Sequence, residues 1–187
     1  MDIRCRLGKF SMLSTATVRN AMRRFRRNRR GSAAVEFALV APVFFALLFA
    51  IIESAMVFFA GQVLETGVQD SGRLLYTSQN VSQVQFKQDF CNRVGALFPC
   101  DSLDLCLDVR RYAPGTVITL NDPIDGSGNY VPNCVWQDPL PNYTMVVRAF
   151  YPWPLFVTGL GYNIANVGRG STSSSRLLAA TAAFRPQ

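Results

Sequence analysis

An apolar stretch of membrane-spanning length near the N-terminus constrains this chain more than any other feature. Residues 37–52 read FALVAPVFFALLFAII and carry no charge, and after Glu53 the apolar pattern resumes as far as Ala60. Taken from Ala34 to Ala60, the stretch is long enough to cross a bilayer even when it is tilted. The sequence therefore predicts one transmembrane helix over residues 34–60.

Positive charge is concentrated directly before this apolar stretch. Residues 1–30 hold ten of the 19 Lys and Arg residues and one acidic residue, whereas residues 31–187 have a net charge of −2. An arginine cluster that ends where an apolar helix begins is typical of a cytoplasmic flank. A nucleic-acid arm and a twin-arginine type of targeting signal are the alternatives. The position favours the flank, so we expect a cytoplasmic N-terminus, no nucleic-acid partner, and the remaining chain outside the cytoplasm.

The helical pattern continues beyond the membrane stretch and then changes. Residues 61–78 have one partly apolar face, which predicts a single helix over residues 32–79, although Gly67 and Gly72 weaken its second half. A short helix or a turn is predicted over Phe86–Leu97. Residues 102–112 alternate apolar and polar and predict a half-buried strand with Asp108 on its polar face. Three further strand predictions follow the same reasoning, at residues 116–120, 143–151 and 175–184.

These elements predict an α+β fold in which a long N-terminal helix, transmembrane in its first half, precedes a small, mostly antiparallel sheet. The sheet and the short helix would form a head over residues 80–187. The aromatic segment YPWPLFVTGLGYN, residues 151–163, is interpreted as core cover, and an exposed loop that contacts a partner or the membrane is the alternative.

Four cysteines lie beyond the apolar stretch, in the part of the chain expected outside the reducing cytoplasm. Four cysteines allow three pairings, and we favour Cys91 with Cys100 and Cys106 with Cys134 because each pair closes a local loop. A zinc site is poorly supported, because the chain has no histidine and no C-x-x-C pair.

Enzyme chemistry has little support in this sequence. There is no histidine, no G-x-S-x-G motif and no glycine-rich phosphate loop, so we predict no catalytic residue and no cofactor. The loop NDPIDGSGN offers Asp122, Asp125 and Asn129 to a hard cation, but its spacing departs from the EF-hand pattern. Turn formation accounts better for these residues, so no metal site is predicted.

Glu36 is a carboxylate at the start of an apolar helix, where a charge costs about 2.5–3.5 kcal/mol on insertion scales. It lies only ~7 Å along the helix from Gly31, so its side chain could reach back to the membrane surface. The surrounding pattern favours another interpretation. The stretch from Gly31 to Phe37 resembles the processing site of type IV pilins of the Flp/Tad (tight adherence) branch. In it, a glycine is followed by four residues, then by a glutamate, Glu36, and an aromatic residue, Phe37. The sequence from Ala33 to Leu75 and the ending RLLAATAAFRPQ resemble TadE-type minor pseudopilins.

The resemblance implies a substrate of a membrane-embedded prepilin peptidase, cleaved between Gly31 and Ser32 so that the leader, residues 1–31, is removed. In related pilins, the glutamate at the position of Glu36 is thought to pair with the N-terminal amine of a neighbouring subunit. The implied partners are other Tad pilins and pseudopilins and the inner-membrane assembly platform. The implied protein is a single-pass inner-membrane subunit of an adhesion pilus, with a periplasmic head.

Two points stay open in the sequence. Glu53 lies in the outer half of the apolar stretch, where it could reach the periplasmic interface or contact a partner subunit. A membrane-anchored periplasmic binding or adhesion domain that never joins a filament is the main alternative to a pilus subunit. A secreted protein with a cleaved signal peptide is less well supported, because the apolar stretch exceeds a usual signal sequence and contains Glu36.

Overall fold

The computed structural model of the protein describes residues 31–77, 80–156, 163–169 and 174–185. Two helices and three strands lie within these ranges: α1 (Ser32–Thr77), α2 (Gln83–Val94), β1 (Cys106–Tyr112), β2 (Thr144–Pro154) and β3 (Ser175–Phe184). This arrangement confirms the predicted α+β class with a long N-terminal helix and a small antiparallel sheet. Residues 1–30 of the predicted leader (residues 1–31) and residues 157–162 of the aromatic segment lie outside the described residues.

The chain divides into two compact units between Phe45 and Ala46. In the first unit, the described residues are helical and their large apolar side chains are exposed. In the second unit, α1 buries a stripe of residues spaced by three or four, which is the period of one helix face. The stripe consists of Val57, Ala60, Leu64, Val68, Ser71 and Leu75.

A capping box starts α2. The Ser82 hydroxyl accepts a hydrogen bond from the Gln85 backbone N–H, at 3.3 Å, and the Gln85 side chain accepts one from the Ser82 N–H, at 3.0 Å. This reciprocal pair satisfies backbone donors that a helix end leaves free. It fixes the start of α2 at Gln83, three residues before the predicted start. The helix then buries Phe86, Phe90 and Val94 against the core.

The sheet is an antiparallel meander in the order β1-β2-β3. One face packs on the helices through alternate residues of β2, Met145, Val147 and Ala149. The other face has a second small core around Cys106 and Phe150, to which Ile124 and Tyr130 contribute. Both faces are therefore covered, the second by the long connection between β1 and β2.

Two strand predictions differ from the structure. The strand predicted over residues 102–112 is confirmed from Cys106 to Tyr112, but its predicted start is wrong. Its predicted polar face is also wrong, because both Cys106 and Asp108 on that face are buried. The strand predicted at residues 116–120 is also wrong, because this stretch is exposed and has no pairing partner among the described residues. A side chain holds it instead, since the Tyr112 hydroxyl donates to the Thr119 carbonyl at 3.1 Å.

Candidate assembly and membrane site

The predicted cleavage site lies at the beginning of α1. Gly31 immediately precedes the helix, and Ser32 is its first residue. A Cβ added to Gly31 would meet no atom within 4 Å, and its φ is not in the left-handed region. Neither packing nor backbone conformation therefore requires glycine here. The fold of this chain therefore does not explain why residue 31 is a glycine.

Glu36 and Phe37 lie one turn into the same helix. Both side chains are exposed, Phe37 by 68%. Glu36 follows Ser32 by four residues, which places the two positions on one helix face. Within the described part of the chain, Glu36 makes no hydrogen bond or ion pair, so an interaction that would offset its charge in an apolar helix has to come from elsewhere.

The helix around these residues presents an apolar surface. One helix among the described residues is long and apolar enough to cross a membrane, with a mean hydropathy of 2.6 in its most apolar window. This helix, α1, is compatible with a single-pass membrane anchor. The large apolar side chains that it exposes include Leu39, Val43, Phe44, Leu47, Phe49, Ile51, Phe58 and Phe59.

Glu53 has a partner that the sequence did not predict. Its side chain is buried, and its carboxylate accepts a hydrogen bond from the backbone N–H of Phe156, 103 residues away in the sequence. Phe156 lies two residues after the end of β2 and is 85% exposed. The bond fastens the end of β2 to α1 at the level of Glu53.

The disulfides join the pairs favoured from the sequence. Cys91 of α2 is bonded to Cys100, and Cys106 of β1 is bonded to Cys134. The first bridge closes the turn that follows α2. The second holds the connection between β1 and β2 against the sheet, close to the small core formed by Cys106 and Phe150.

A buried ionic cluster is the main feature that sequence reasoning missed. Asp108 has no exposed surface, and its carboxylate accepts from Arg148 Nη2 at 2.5 Å and from Arg110 Nε at 2.9 Å. It also accepts from the Val135 backbone N–H at 3.0 Å, while Arg148 Nη1 donates to the Asn121 carbonyl at 2.9 Å. Asp108 and Arg148 are Cα partners in the β1–β2 register. A fourth donor to Asp108 is Arg148 Nε, at 3.1 Å. The cluster therefore ties the long connection to the sheet.

The aspartates of the NDPIDGSGN loop make turns, as interpreted from the sequence. Asp125 accepts hydrogen bonds from the Asn129 and Ser127 backbone N–H groups, at 2.8 and 2.9 Å. The bond from Asn129 is the largest cause of a lowered pKa of Asp125. Asp122 accepts from the Ile124 N–H at 2.9 Å. Among the described residues, no group of three or more Cys, Asp or Glu side chains is placed to hold a metal ion.

Comparison with known proteins finds a similarity in the N-terminal part of the chain. Residues 31–73 match the family model described as TadE-like protein. The match begins at Gly31, contains Glu36, Phe37 and Glu53, and ends within α1. No curated protein and no solved structure matches the chain.

Proposed function

We propose that this chain, a TadE-type protein of the Tad pilus system by its residues 31–73, is a minor pseudopilin required to assemble a Tad-type adhesion pilus. A prepilin peptidase cleaves it after Gly31. The mature subunit is held in the bacterial inner membrane by α1, with its N-terminus towards the cytoplasm and its head in the periplasm.

The observation that carries this proposal is the exposed Glu36 one helical turn after Ser32, in an apolar helix that offers it no partner among the described residues. After cleavage, Ser32 would bear an α-amino group with an ordinary pKa near 8, so it would be protonated at neutral pH. Glu36 then pairs with the ammonium group of a neighbouring subunit, and Phe37 contributes apolar contact beside that pair.

Processing at Gly31 is supported by the lack of any packing reason for a glycine there. A residue without a side chain leaves the backbone accessible to a peptidase and allows conformations that other residues avoid. The ten basic residues before it keep the leader in the cytoplasm and hold the Gly31–Ser32 bond at the membrane surface.

The proposed role is structural and not enzymatic. The four exported cysteines are used in disulfides, and the buried carboxylate of Asp108 is engaged by two arginines and a backbone N–H. The partners in this proposal are the prepilin peptidase, other Tad pilins and pseudopilins, and the inner-membrane assembly platform. No catalytic residue, cofactor or metal is assigned.

The test replaces Glu36 in the sole copy of the gene in its own host. Glu36→Gln removes the charge while keeping the size, so membrane insertion should be normal and surface pili should be lost. Glu65→Gln is the matched control, because Glu65 is also an exposed glutamate of α1 but lies beyond the apolar stretch. Normal piliation with Glu36→Gln would exclude the ion pair and would favour a membrane-anchored domain that does not enter a filament.

A further inference from the structure

The end of β2 lies beside the apolar part of α1. In the register of the sheet, Met145 near the start of β2 pairs with Phe184, and the Phe184 ring lies against Gly72 of α1. At the other end of β2, the Phe156 N–H bonds to Glu53. These two contacts are 19 residues apart along α1, or about 28 Å at 1.5 Å per residue. The strand β2 therefore runs from the polar part of α1 back towards its apolar part.

The bond to Glu53 sets the level of Phe156 along α1. The continuous run of exposed large apolar side chains on α1 ends at Phe59, and the next exposed positions, Gln62 and Glu65, are polar. Tyr76 is exposed farther along the helix. Glu53 lies seven residues before Ala60, so the Phe156 backbone lies about 10 Å inside the apolar boundary of the helix. A residue at this level meets the outer layer of the same bilayer that α1 crosses.

The chemistry around Phe156 suits lipid. Its side chain is 85% exposed although it is large and aromatic. The sequence has no charged residue from Ala149 to Gly168. Aromatic side chains are enriched at the boundary between hydrocarbon and headgroups, where charged groups on an approaching loop would lose hydration.

The approach to this position is firmly packed. Tyr151 and Trp153 of β2 stack edge-to-face on Phe98, with ring centroids 5.2 and 5.8 Å apart, and Leu155 is buried in the main core. Edge-to-face pairs of this kind stabilise a core beyond the area that they bury. The chain is therefore packed against the core up to Leu155, and Phe156, the next residue, is exposed.

We propose that Phe156 inserts into the outer interfacial layer of the bilayer and that Glu53, by binding its backbone N–H, sets the depth of insertion. The inference rests on the membrane anchoring of α1 proposed above. The head then contacts the membrane at two points, α1 and the end of β2, and this second point restricts rotation of the head about the helix. The exposed Phe156 side chain contacts lipid because it lies beside the part of α1 that is inside the bilayer.

The test places an indole at this position in the full-length chain. Phe156→Trp is reconstituted into phosphatidylcholine vesicles that contain brominated acyl chains, which quench tryptophan on contact. Val117→Trp is the matched control, because Val117 is 87% exposed and follows β1 at the opposite end of the sheet. Both variants keep the native Trp136 and Trp153, so the wild-type signal is the common baseline.

The expected result is a blue shift and a marked loss of emission from the F156W indole in brominated vesicles, with no loss for V117W. Equal emission from both variants would overturn the inference while flotation of the chain with the vesicles still supports the anchor. A blue shift without quenching would indicate a contact with protein and would also overturn it. A chain that does not float with vesicles would refute the anchoring and the insertion together.

The role of Glu53 is tested in the F156W background. Glu53→Leu removes the acceptor, so quenching should lose its dependence on the bromine position along the acyl chain. Glu53→Gln retains an acceptor oxygen, so in this variant quenching should still depend on the bromine position. Identical depth profiles for the two variants would show that Glu53 does not position Phe156.

Discussion

A Cβ atom placed on Gly67 of α1 would lie 2.4 Å from Cγ1 of Val94 on α2, closer than non-bonded carbon atoms approach in folded proteins. The two helices therefore approach each other at a point where α1 has no side chain. A similar contact occurs at Gly72, where an added Cβ would lie 3.1 Å from the Phe184 ring. The two glycines that weaken the helix prediction are thus the places where α2 and β3 pack closely on α1.

Gly67→Ala should destabilise the head. The helix propensity gain of about 1 kcal/mol is outweighed by overpacking against Val94, which typically costs about 1–3 kcal/mol. Gly61→Ala is the control, because a Cβ there would meet no atom within 4 Å and should leave stability unchanged or raised. Urea unfolding of the detergent-solubilised chain, followed by tryptophan fluorescence, measures both free energies.

The double variant Gly67→Ala with Val94→Ala tests the cause. If the clash is with Val94, the double variant should be more stable than the sum of the two single effects predicts. Additive effects would show that Gly67 is needed for another reason.

Asp108→Asn should destabilise the head strongly. It leaves Arg148, a 5% exposed cation, without the carboxylate that it contacts through two nitrogens. Removing one partner of a buried ion pair typically costs about 3–5 kcal/mol. The exposed Asp101→Asn serves as control. A loss in unfolding free energy no larger than that of the control would mean that the cluster adds nothing to the fold.

Loss of the Cys106–Cys134 bridge should cost more than loss of the Cys91–Cys100 bridge. The bonded residues are 28 and 9 positions apart, respectively. In the chain-entropy description, this difference corresponds to about 1 kcal/mol in unfolding free energy. Paired Cys→Ser variants, expressed in an oxidising compartment and unfolded in urea, measure it. The opposite order would show that local packing outweighs loop closure.

Tyr130 should make the head sensitive to alkaline pH. Burial, with a smaller contribution from Asp104, raises the pKa of Tyr130 from 10.0 to about 12. Between these values the folded chain keeps the phenol proton and the unfolded chain loses it, so the free energy of unfolding falls as pH rises through this window. Urea unfolding across the window should show a shallower fall for Tyr130→Phe. Equal slopes for the two proteins would contradict the assignment.

Patterns that depend on neighbouring residues predicted much of this fold. The 3.6-residue period and the apolar run predicted α1, and local loop closure favoured the disulfide pairs that the structure contains. The strand predicted at residues 175–184 matches β3, and the strand predicted at residues 143–151 corresponds to β2, which runs from Thr144 to Pro154.

Interactions between distant residues were not predictable in the same way. Alternation in residues 102–112 assigned Asp108 to a solvent face, because nothing local signals that Arg148, 40 residues later, is its register partner. The bond between Glu53 and the Phe156 N–H joins residues 103 positions apart and involves a backbone group that every residue type except proline carries. The β-branched run at residues 116–120 had strand propensity but found no neighbouring strand among the described residues.

The most direct test of the account is the intact mass and N-terminal sequence of the protein recovered from membranes of a host that has its native prepilin peptidase. The account predicts a mature chain that begins Ser32-Ala33-Ala34 and floats with the inner membrane. A chain that still carries Arg29-Arg30-Gly31, or one cut beyond Ala60, would contradict processing as a pseudopilin.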